Sequence, residues 1–557
     1  MMREAPTPLE SQSEIATRPA LRRGVYTIIV LLTVFRVAST HRIFSQTTDE
    51  SSHIAAGYEW FRGDYSGDPS HPPLARILCA LPAYLTGATE TTEKEIYRRG
   101  NEILWHNGRY VHNLMLARRS NLLWLVAALL GVAGWAKLRF GDATAVVAML
   151  LYSSLPPVLA HAGLATTDMA VAAMFPIALL AFEWWQRRPS VPRSAILGLA
   201  VGLGLLSKFS FGVFFGAAML STCLIRPWLI RSVLRRSTLV ALLVATATVW
   251  AGYRFDVGTF SKAHESAPFL VAKLPPPALR PLVSWASAHL IIPAPVFAVG
   301  LGWIAEHSAE GQLAYLLGRY SKTGWWYYFP VVMFFKTQLA FLTLSVLGVV
   351  WQLRRRSDAD LAVLPLGMLL VVMPSTINIG VRHVLPIYAP LAILAAYAAV
   401  KLWQEAPHWF SRLTLAAFMS TILIASAAAH PDYLSWFNIA ARGHGERIAT
   451  DSNLDWGQDA LRLAAFVKTH KITHFAIILS GSTDLGRLHL PAAELAPFVP
   501  VSGWIMVPET GLALHPDARR GGFDWLKAYS PIDHVGTTIR VYFIPQFEKG
   551  LDLAGGG

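Results

Sequence analysis

Long apolar runs recur along almost the whole chain, and few folds tolerate that pattern. A helix needs roughly 20 apolar residues to cross the hydrocarbon layer of a bilayer. Scanning at that length gives about eleven candidate spans. The first runs from Gly24 to Ser39, and the others begin near Asn121, Ala143, Asp168, Ser194, Phe209, Thr238, Tyr328, Leu361, Val384 and Leu413. Composition agrees: 54% of the residues are hydrophobic, 15% are charged, and mean hydropathy is +0.40. A soluble chain of 557 residues would divide into domains with charged surfaces, so soluble enzyme folds are largely excluded. The expected fold class is a polytopic α-helical membrane protein.

The net charge of +13 would suggest nucleic acid on a soluble protein, but here the basic residues sit beside apolar spans. They read as topology signals, and no nucleic-acid partner is expected. One set of connections carries Lys137 and Arg139, then Arg187, Arg188 and Arg193, then Arg226, Arg231, Arg235 and Arg236, then Arg354 to Arg356, then Lys401 and Arg412. These are the expected cytoplasmic loops, together with a tail over residues 1–23 that bears Arg18, Arg22 and Arg23. A retained membrane domain then covers 24–430, with outer segments at 41–120 and 254–327. The stretch Leu282 to Ile304, interrupted by Pro293 and Pro295, reads as a membrane-surface helix and not as a further span. Residues 431–557 form a more polar, non-cytoplasmic unit. Strand-like pieces at Phe475 to Leu479 and Thr538 to Phe543, with a helix-like piece at Gln458 to Thr469, predict a small α/β domain, and Leu551 to Gly557 reads as disordered. With only Cys79 and Cys223, neither a disulfide framework nor a cysteine zinc site is expected.

Several polar residues fall at the mouths of the expected spans, where charge is costly unless it is used. Asp49 and Glu50 follow the first span, with His53 one turn on. An ionised Asp there suits a general base, although Thr-Asp-Glu is also an ordinary helix start. Asp68-Pro69-Ser70-His71-Pro72-Pro73-Leu74 leads into Ala75 to Leu85, which is too short to span and reads as a re-entrant or surface helix. Asp168 opens a span after His161; it is read as sharing a metal with Asp49, as holding Asp49 in place, or as a cap alone. Arg118, Lys208 and Arg382-His383 place an excess of positive charge on the same side, which fits a phosphate ligand; snorkelling to lipid headgroups is the plain alternative. Trp325-Trp326-Tyr327-Tyr328-Phe329-Pro330 reads as an interfacial belt or as a surface on which a sugar or prenyl chain stacks. Asp49, Glu50, His53, His71 and Asp168 include metal-ligand types without metal-ligand spacing, so a divalent metal is left open.

Taken together, Asp49-Glu50, His71-Pro72-Pro73-Leu74, Arg118 and Asp168 resemble the protein O-mannosyltransferase-like family of C-type membrane glycosyltransferases, which also contains the lipid A aminoarabinose transferases. Gly204 to Lys208, Gly324 to Pro330 with Lys336-Thr337, Ile377 to Pro386, and Asp451-Ser452-Asn453-Leu454-Asp455-Trp456-Gly457-Gln458 look like its bacterial subgroup. The resemblance implies inverting transfer of a hexosyl or pentosyl group from a polyprenyl-phosphate sugar to a protein, lipid or glycan acceptor. It also implies a bacterial inner membrane, with the N-terminus cytoplasmic and the C-terminal unit outside. By residue, it implies Asp49 as base, Glu50 and Asp168 as acids positioning the reactants, and Arg118, Lys208, Arg382 and His383 on the donor phosphate. His53, His71, Trp325, Trp326 and Tyr327 would contact substrate. His71 and Ala75-Arg76 depart from other branches, which leaves acceptor and metal open. A transporter or flippase of a lipid-linked or anionic substrate is the competing reading; long outer segments and a folded tail favour an enzyme.

Overall fold

The computed structural model describes residues 19–65, 67–88, 93–229, 236–355 and 359–545. Arg18, Arg231, Arg235, Arg356 and the stretch 551–557 lie outside the described residues.

The apolar runs become helices that end where polar residues or prolines interrupt them. Tyr110–Phe140, Asp168–Arg187, Val381–Glu405 and Trp409–Ala428 are each long and apolar enough to cross a membrane. Asp142–Tyr152 and Pro156–Ala162 form a fifth candidate span bent by 69°. Pro156 and Pro157 stand in the first turn of its second half, where their missing N–H groups cost nothing, and they prevent the first half from continuing. Val191–Ser207, Ser210–Ile225, Arg236–Gly252, Leu339–Arg354 and Ala359–Val372 are shorter apolar helices. The run from Gly24 is the helix Pro19–Ala38.

Helix Val191–Ser207 packs closely on Arg236–Gly252 through Gly198 and Gly202. A Cβ on Gly198 would lie 2.4 Å from the Ala241 carbonyl oxygen, and one on Gly202 would lie 2.6 Å from Thr248 Cβ. Glycines four residues apart let two backbones approach in this way, which matters in lipid, where helix association depends on close packing.

The long helix Tyr110–Phe140 connects two charged regions. Arg118 and Arg139 lie 21 residues apart on it, roughly 30 Å at 1.5 Å per residue, about the thickness of the hydrocarbon core. At the Arg139 end, Arg139 reaches Glu183 at 2.6 Å and Asp360 at 2.7 Å, Arg226 joins Asp360 at 2.7 Å, and the Trp135 indole donates to Glu183 at 2.6 Å. Two of the arginines read as loop charges, Arg139 and Arg226, thus tie four helices together.

The Arg118 end carries the segments 41–120 and 254–327. Helices Thr48–Phe61, Pro73–Leu85 and Ile96–Leu104 pack on one another there. Residues 282–304 do not form one helix: Arg280–His289 ends, Ile291–Pro293 pairs antiparallel with Val257–Thr259, and Pro295–Glu310 begins a new helix. Pro293 and Pro295 mark the break, as their lost donors and fixed φ require.

The tail folds into a mixed five-stranded sheet with the order Ala492–Glu494, Phe475–Ile477, Gly503–Pro508, Ile539–Ile544, Asp533–Val535. Side chains alternate across it: Met506 packs with Leu463 and Val467 of helix Ala460–Thr469, while Ile505 and Val507 face Phe523 and Leu526.

Candidate active site

Asp49 and Glu50 are neighbours with different surroundings. Both lie in the first turn of Thr48–Phe61. Glu50 Oε2 accepts the Thr47 N–H at 2.7 Å, which is the helix-cap role. Its carboxylate also accepts Arg118 Nε at 2.8 Å, Arg118 Nη2 at 2.7 Å and the Ala165 N–H at 2.8 Å. Arg118 spends its remaining hydrogens on the Phe44 and Ser45 carbonyls at 2.9 and 2.7 Å, and both side chains are buried. Burial alone would raise the Glu50 pKa; the Arg118 charge and these hydrogen bonds outweigh it and hold the group below its ordinary value.

Asp49 points elsewhere. Its Oδ2 accepts Arg382 Nη1 at 2.8 Å, and the same Nη1 lies 3.8 Å from Asp168 Oδ2. Asp168 Oδ1 accepts Lys208 Nζ at 2.6 Å, and its Oδ2 accepts the Thr166 hydroxyl at 3.1 Å. All four charged groups come from element ends. Asp49 and Asp168 begin helices, Lys208 stands in the break between Val191–Ser207 and Ser210–Ile225, and Arg382 lies in the 3-10 turn Val381–Ile387. Breaks in membrane helices expose backbone and side-chain polarity only where a cavity or a protein neighbour receives it.

That cavity is present, with a volume of about 690 Å³. Asp49, His53, His71, Lys208, Arg382 and His383 line one part of it, Val213, Phe214, Leu301 and Val372 supply apolar wall, and a second polar group, His307, Ser308, Gln312 and Thr376, lines it as well. Arg382 Nε and His383 Nε2 are buried without a hydrogen-bond partner among the described residues. The expected excess of positive charge is corrected: Arg118 is matched by Glu50, Lys208 by Asp168 and Arg382 by Asp49. The cations are paired, and among the described lining residues the buried polar atoms left over are Arg382 Nε and His383 Nε2.

His53 and His71 meet edge to face with ring centroids 5.0 Å apart. Arg76 Nε donates to His53 Nδ1 at 3.2 Å, and since an arginine cannot accept, the His53 proton is on Nε2. Burial, reinforced by the Arg76 charge, lowers the His53 pKa to about 4, and burial beside His53 and Arg76 pushes His71 well below its ordinary value. Both rings are therefore neutral hydrogen-bonding groups at pH 7.

The aromatic run reaches the cavity through Phe329 alone. Trp326 is 65% exposed, the Trp325 backbone N–H donates to Asn378 Oδ1 at 2.7 Å, and neither they nor Tyr327 line the cavity. The other cavity aromatics are Tyr97, Phe209, Phe214 and Trp303, with His307 stacked on Trp303 at 5.0 Å. Trp303 and His307 carry a sequence signal, since a spacing of four puts them on one helix face. Trp303 falls near the end of the stretch read as a surface helix, Leu282 to Ile304, and His307 just beyond it. Among the described residues no group of three or more His, Cys, Asp or Glu side chains could hold a metal ion. The Asp49 and Asp168 carboxylates are instead paired with Arg382 and Lys208.

Residues 112–251 match the profile of the family described as dolichyl-phosphate-mannose-protein mannosyltransferase. No curated protein matches the sequence. Among solved structures, ArnT from Cupriavidus metallidurans bound to undecaprenyl phosphate superposes over 93% of this chain and 97% of its own, with a TM-score of 0.50 at 13% identity. The Archaeoglobus fulgidus oligosaccharyltransferase in the apo form covers 83% of this chain and 63% of its own, with a TM-score of 0.46 at 14% identity. With the mannosyltransferase pattern across residues 112–251 and the ArnT architecture along nearly its whole length, the protein is a polytopic helical chain of the C-type glycosyltransferase fold.

Proposed function

We propose that the protein transfers a sugar from a polyprenyl-phosphate donor to an acceptor hydroxyl or phosphate on the non-cytoplasmic face of the membrane, with inversion and with Asp49 as the general base. One observation carries the reading: Asp49, Lys208 and Arg382 line one cavity together with apolar side chains, and Arg382 stands between Asp49 and the buried Asp168. A prenyl chain suits the apolar wall, and a sugar phosphate suits the cations. That ArnT is described bound to undecaprenyl phosphate is consistent with this ligand class.

The acceptor oxygen attacks the anomeric carbon, the bond from that carbon to the phosphate oxygen breaks, and the electron pair leaves on the phosphate. The acceptor proton passes to Asp49. As the phosphate departs, its charge grows from one negative unit to about two, and donors aimed at it become more valuable in the transition state than in the ground state. Arg382 Nε, His383 Nε2 and Lys208 supply those donors. An arriving phosphate draws Arg382 away from Asp49, which frees the carboxylate for the acceptor. Asp168 acts as a positioning group that holds Lys208 and Arg382 on the cavity wall. The two cations supply charge that a divalent ion would otherwise bring. In this scheme Glu50 and Arg118 support the first helical turn from behind, and Trp303, Tyr97, His53 and His71 contact the sugar or the acceptor.

The arginine-rich connections support a reading with the Arg139 end in the cytoplasm, the cavity end outside, and residues 431–557 on the outer side of a bacterial inner membrane. The test is mass spectrometry of glycolipids, glycoproteins and glycans from cells with and without the protein. The expected result is loss of one glycosylated species together with accumulation of its polyprenyl-phosphate donor. Identical profiles, with no lipid-linked sugar accumulating, would contradict the reading.

A further inference from the structure

Residues 451–458 belong in sequence to the tail, yet they pack directly behind the residues that carry Asp49 and Arg382. The Trp456 carbonyl accepts the Thr48 N–H at 2.9 Å and the Thr48 hydroxyl at 3.2 Å, one residue before Asp49. The Trp456 ring lies against Arg382, with the guanidinium carbon 4.1 Å from a ring centroid. Ser452 Oγ donates to the Ile379 carbonyl at 2.7 Å, and Asn453 Oδ1 accepts the Val381 N–H at 2.9 Å. Gly380 leaves room for this contact, since a Cβ there would lie 2.1 Å from Ser452 Oγ.

The same eight residues are held from both sides. Lys336, fully buried, donates to the Asn453, Leu434 and Trp436 carbonyls at 2.7, 2.7 and 2.5 Å. From the sheet side, Thr510 Oγ1 accepts the Asp451 N–H at 2.9 Å and donates to the Asp455 carbonyl at 2.6 Å. One short segment therefore sets the separation between the helix start that carries Asp49 and the turn that carries Arg382. With Nη1 on Asp49 and Nε without a partner, the plane of the guanidinium is set by the indole face it rests on.

We propose that the segment 451–458 is part of the transfer site, and that Trp456 is a positioning residue that fixes the Arg382 guanidinium between Asp49 and the donor phosphate. The inference rests on the assignment of Arg382 to that phosphate. It gives the tail a role in building the site, in addition to any contact with the acceptor.

The experiment uses the full chain in detergent with undecaprenyl phosphate as the probe, comparing Trp456→Leu, Trp456→Phe, Arg382→Ala and the double variant Trp456→Leu/Arg382→Ala. Binding is expected to weaken about tenfold in Trp456→Leu and to return to within about threefold of wild type in Trp456→Phe, the range expected for a buried cation on a ring face. The double variant should bind no more weakly than Arg382→Ala alone, because the indole acts only through that arginine. Thermal unfolding of each variant separates positioning from loss of fold. Trp456→Met, which keeps most of the volume without the ring, carries the test if Trp456→Leu does not fold. Wild-type binding in Trp456→Leu, or additive losses in the double variant, overturns the role of Trp456. Wild-type binding in Arg382→Ala overturns the phosphate assignment itself.

Discussion

Glu50 and Arg118 have given all their hydrogen-bonding capacity to each other and to neighbouring backbone, whereas Asp49 leaves Oδ1 without a hydrogen-bond partner among the described residues. Removing Arg118 would strand a buried carboxylate and three carbonyl contacts. Arg118→Ala is accordingly expected to cost about 3–5 kcal/mol of stability, the range for breaking a buried ion pair, and Arg118→Lys to recover little because one ammonium cannot match a five-donor fork. Thermal unfolding in detergent measures this, and an Arg118→Ala protein as stable as wild type would refute it. At this scale the sequence is informative about residue type and poor about partner. Thr47 to Glu50 carries a cap pattern, and Glu50 does serve as the cap. Nothing in the order of residues says that Arg382, 333 positions away, faces Asp49 and not Glu50. That pairing depends on where two helix ends are placed by packing far from either.

Among elements, the joint between the membrane part and the tail is rich in buried acids. Asp455 accepts the Thr510 and Gly457 N–H groups at 2.9 and 3.0 Å. Burial raises its pKa to about 7 against the pull of those hydrogen bonds, with Asp459 and Glu509 adding repulsion. A carboxyl whose folded-state pKa is raised from 3.8 stabilises the fold fully below pH 3.8, and the contribution is lost as pH rises through about 7. The melting temperature is therefore expected to fall between pH 5 and pH 8, and Asp455→Asn to flatten that slope. An unchanged slope in Asp455→Asn would assign the effect to other groups. Apolar run length is a local property, so the runs were legible as helices, and the breaks at Pro156-Pro157 and Lys208 with them; of about eleven expected spans, four described helices, or five with the bent pair, are long and apolar enough to cross. Most of the cavity aromatics were not legible. Trp325 to Tyr327 stand out in sequence and sit aside from the cavity, while Trp303 and His307 are embedded in an apolar stretch that folds as part of an outer segment.

For the whole molecule, the arrangement is a bundle with a structural ion network at one end and a cavity at the other, roughly a bilayer thickness apart along Tyr110–Phe140. Residues 451–458 join the tail to the elements that carry Asp49 and Arg382, through Thr48, Ile379, Val381 and the Arg382 guanidinium. Sequence reading had no means of joining the tail to the helices: Asp451 to Gln458 stood out as a motif, and its contacts with Thr48, Ile379 and Val381 are tertiary. The central claim is that Asp49 removes the acceptor proton while Arg382 and its neighbours take the charge of the departing phosphate. The most direct measurement is the single-turnover transfer rate of Asp49→Asn from the lipid-linked donor identified for the protein, alongside its affinity for undecaprenyl phosphate. The account predicts a rate lowered by about 10²–10⁴, the usual worth of a positioned general base, with phosphate affinity preserved or increased because Arg382 is released. Transfer at the wild-type rate in Asp49→Asn would contradict it.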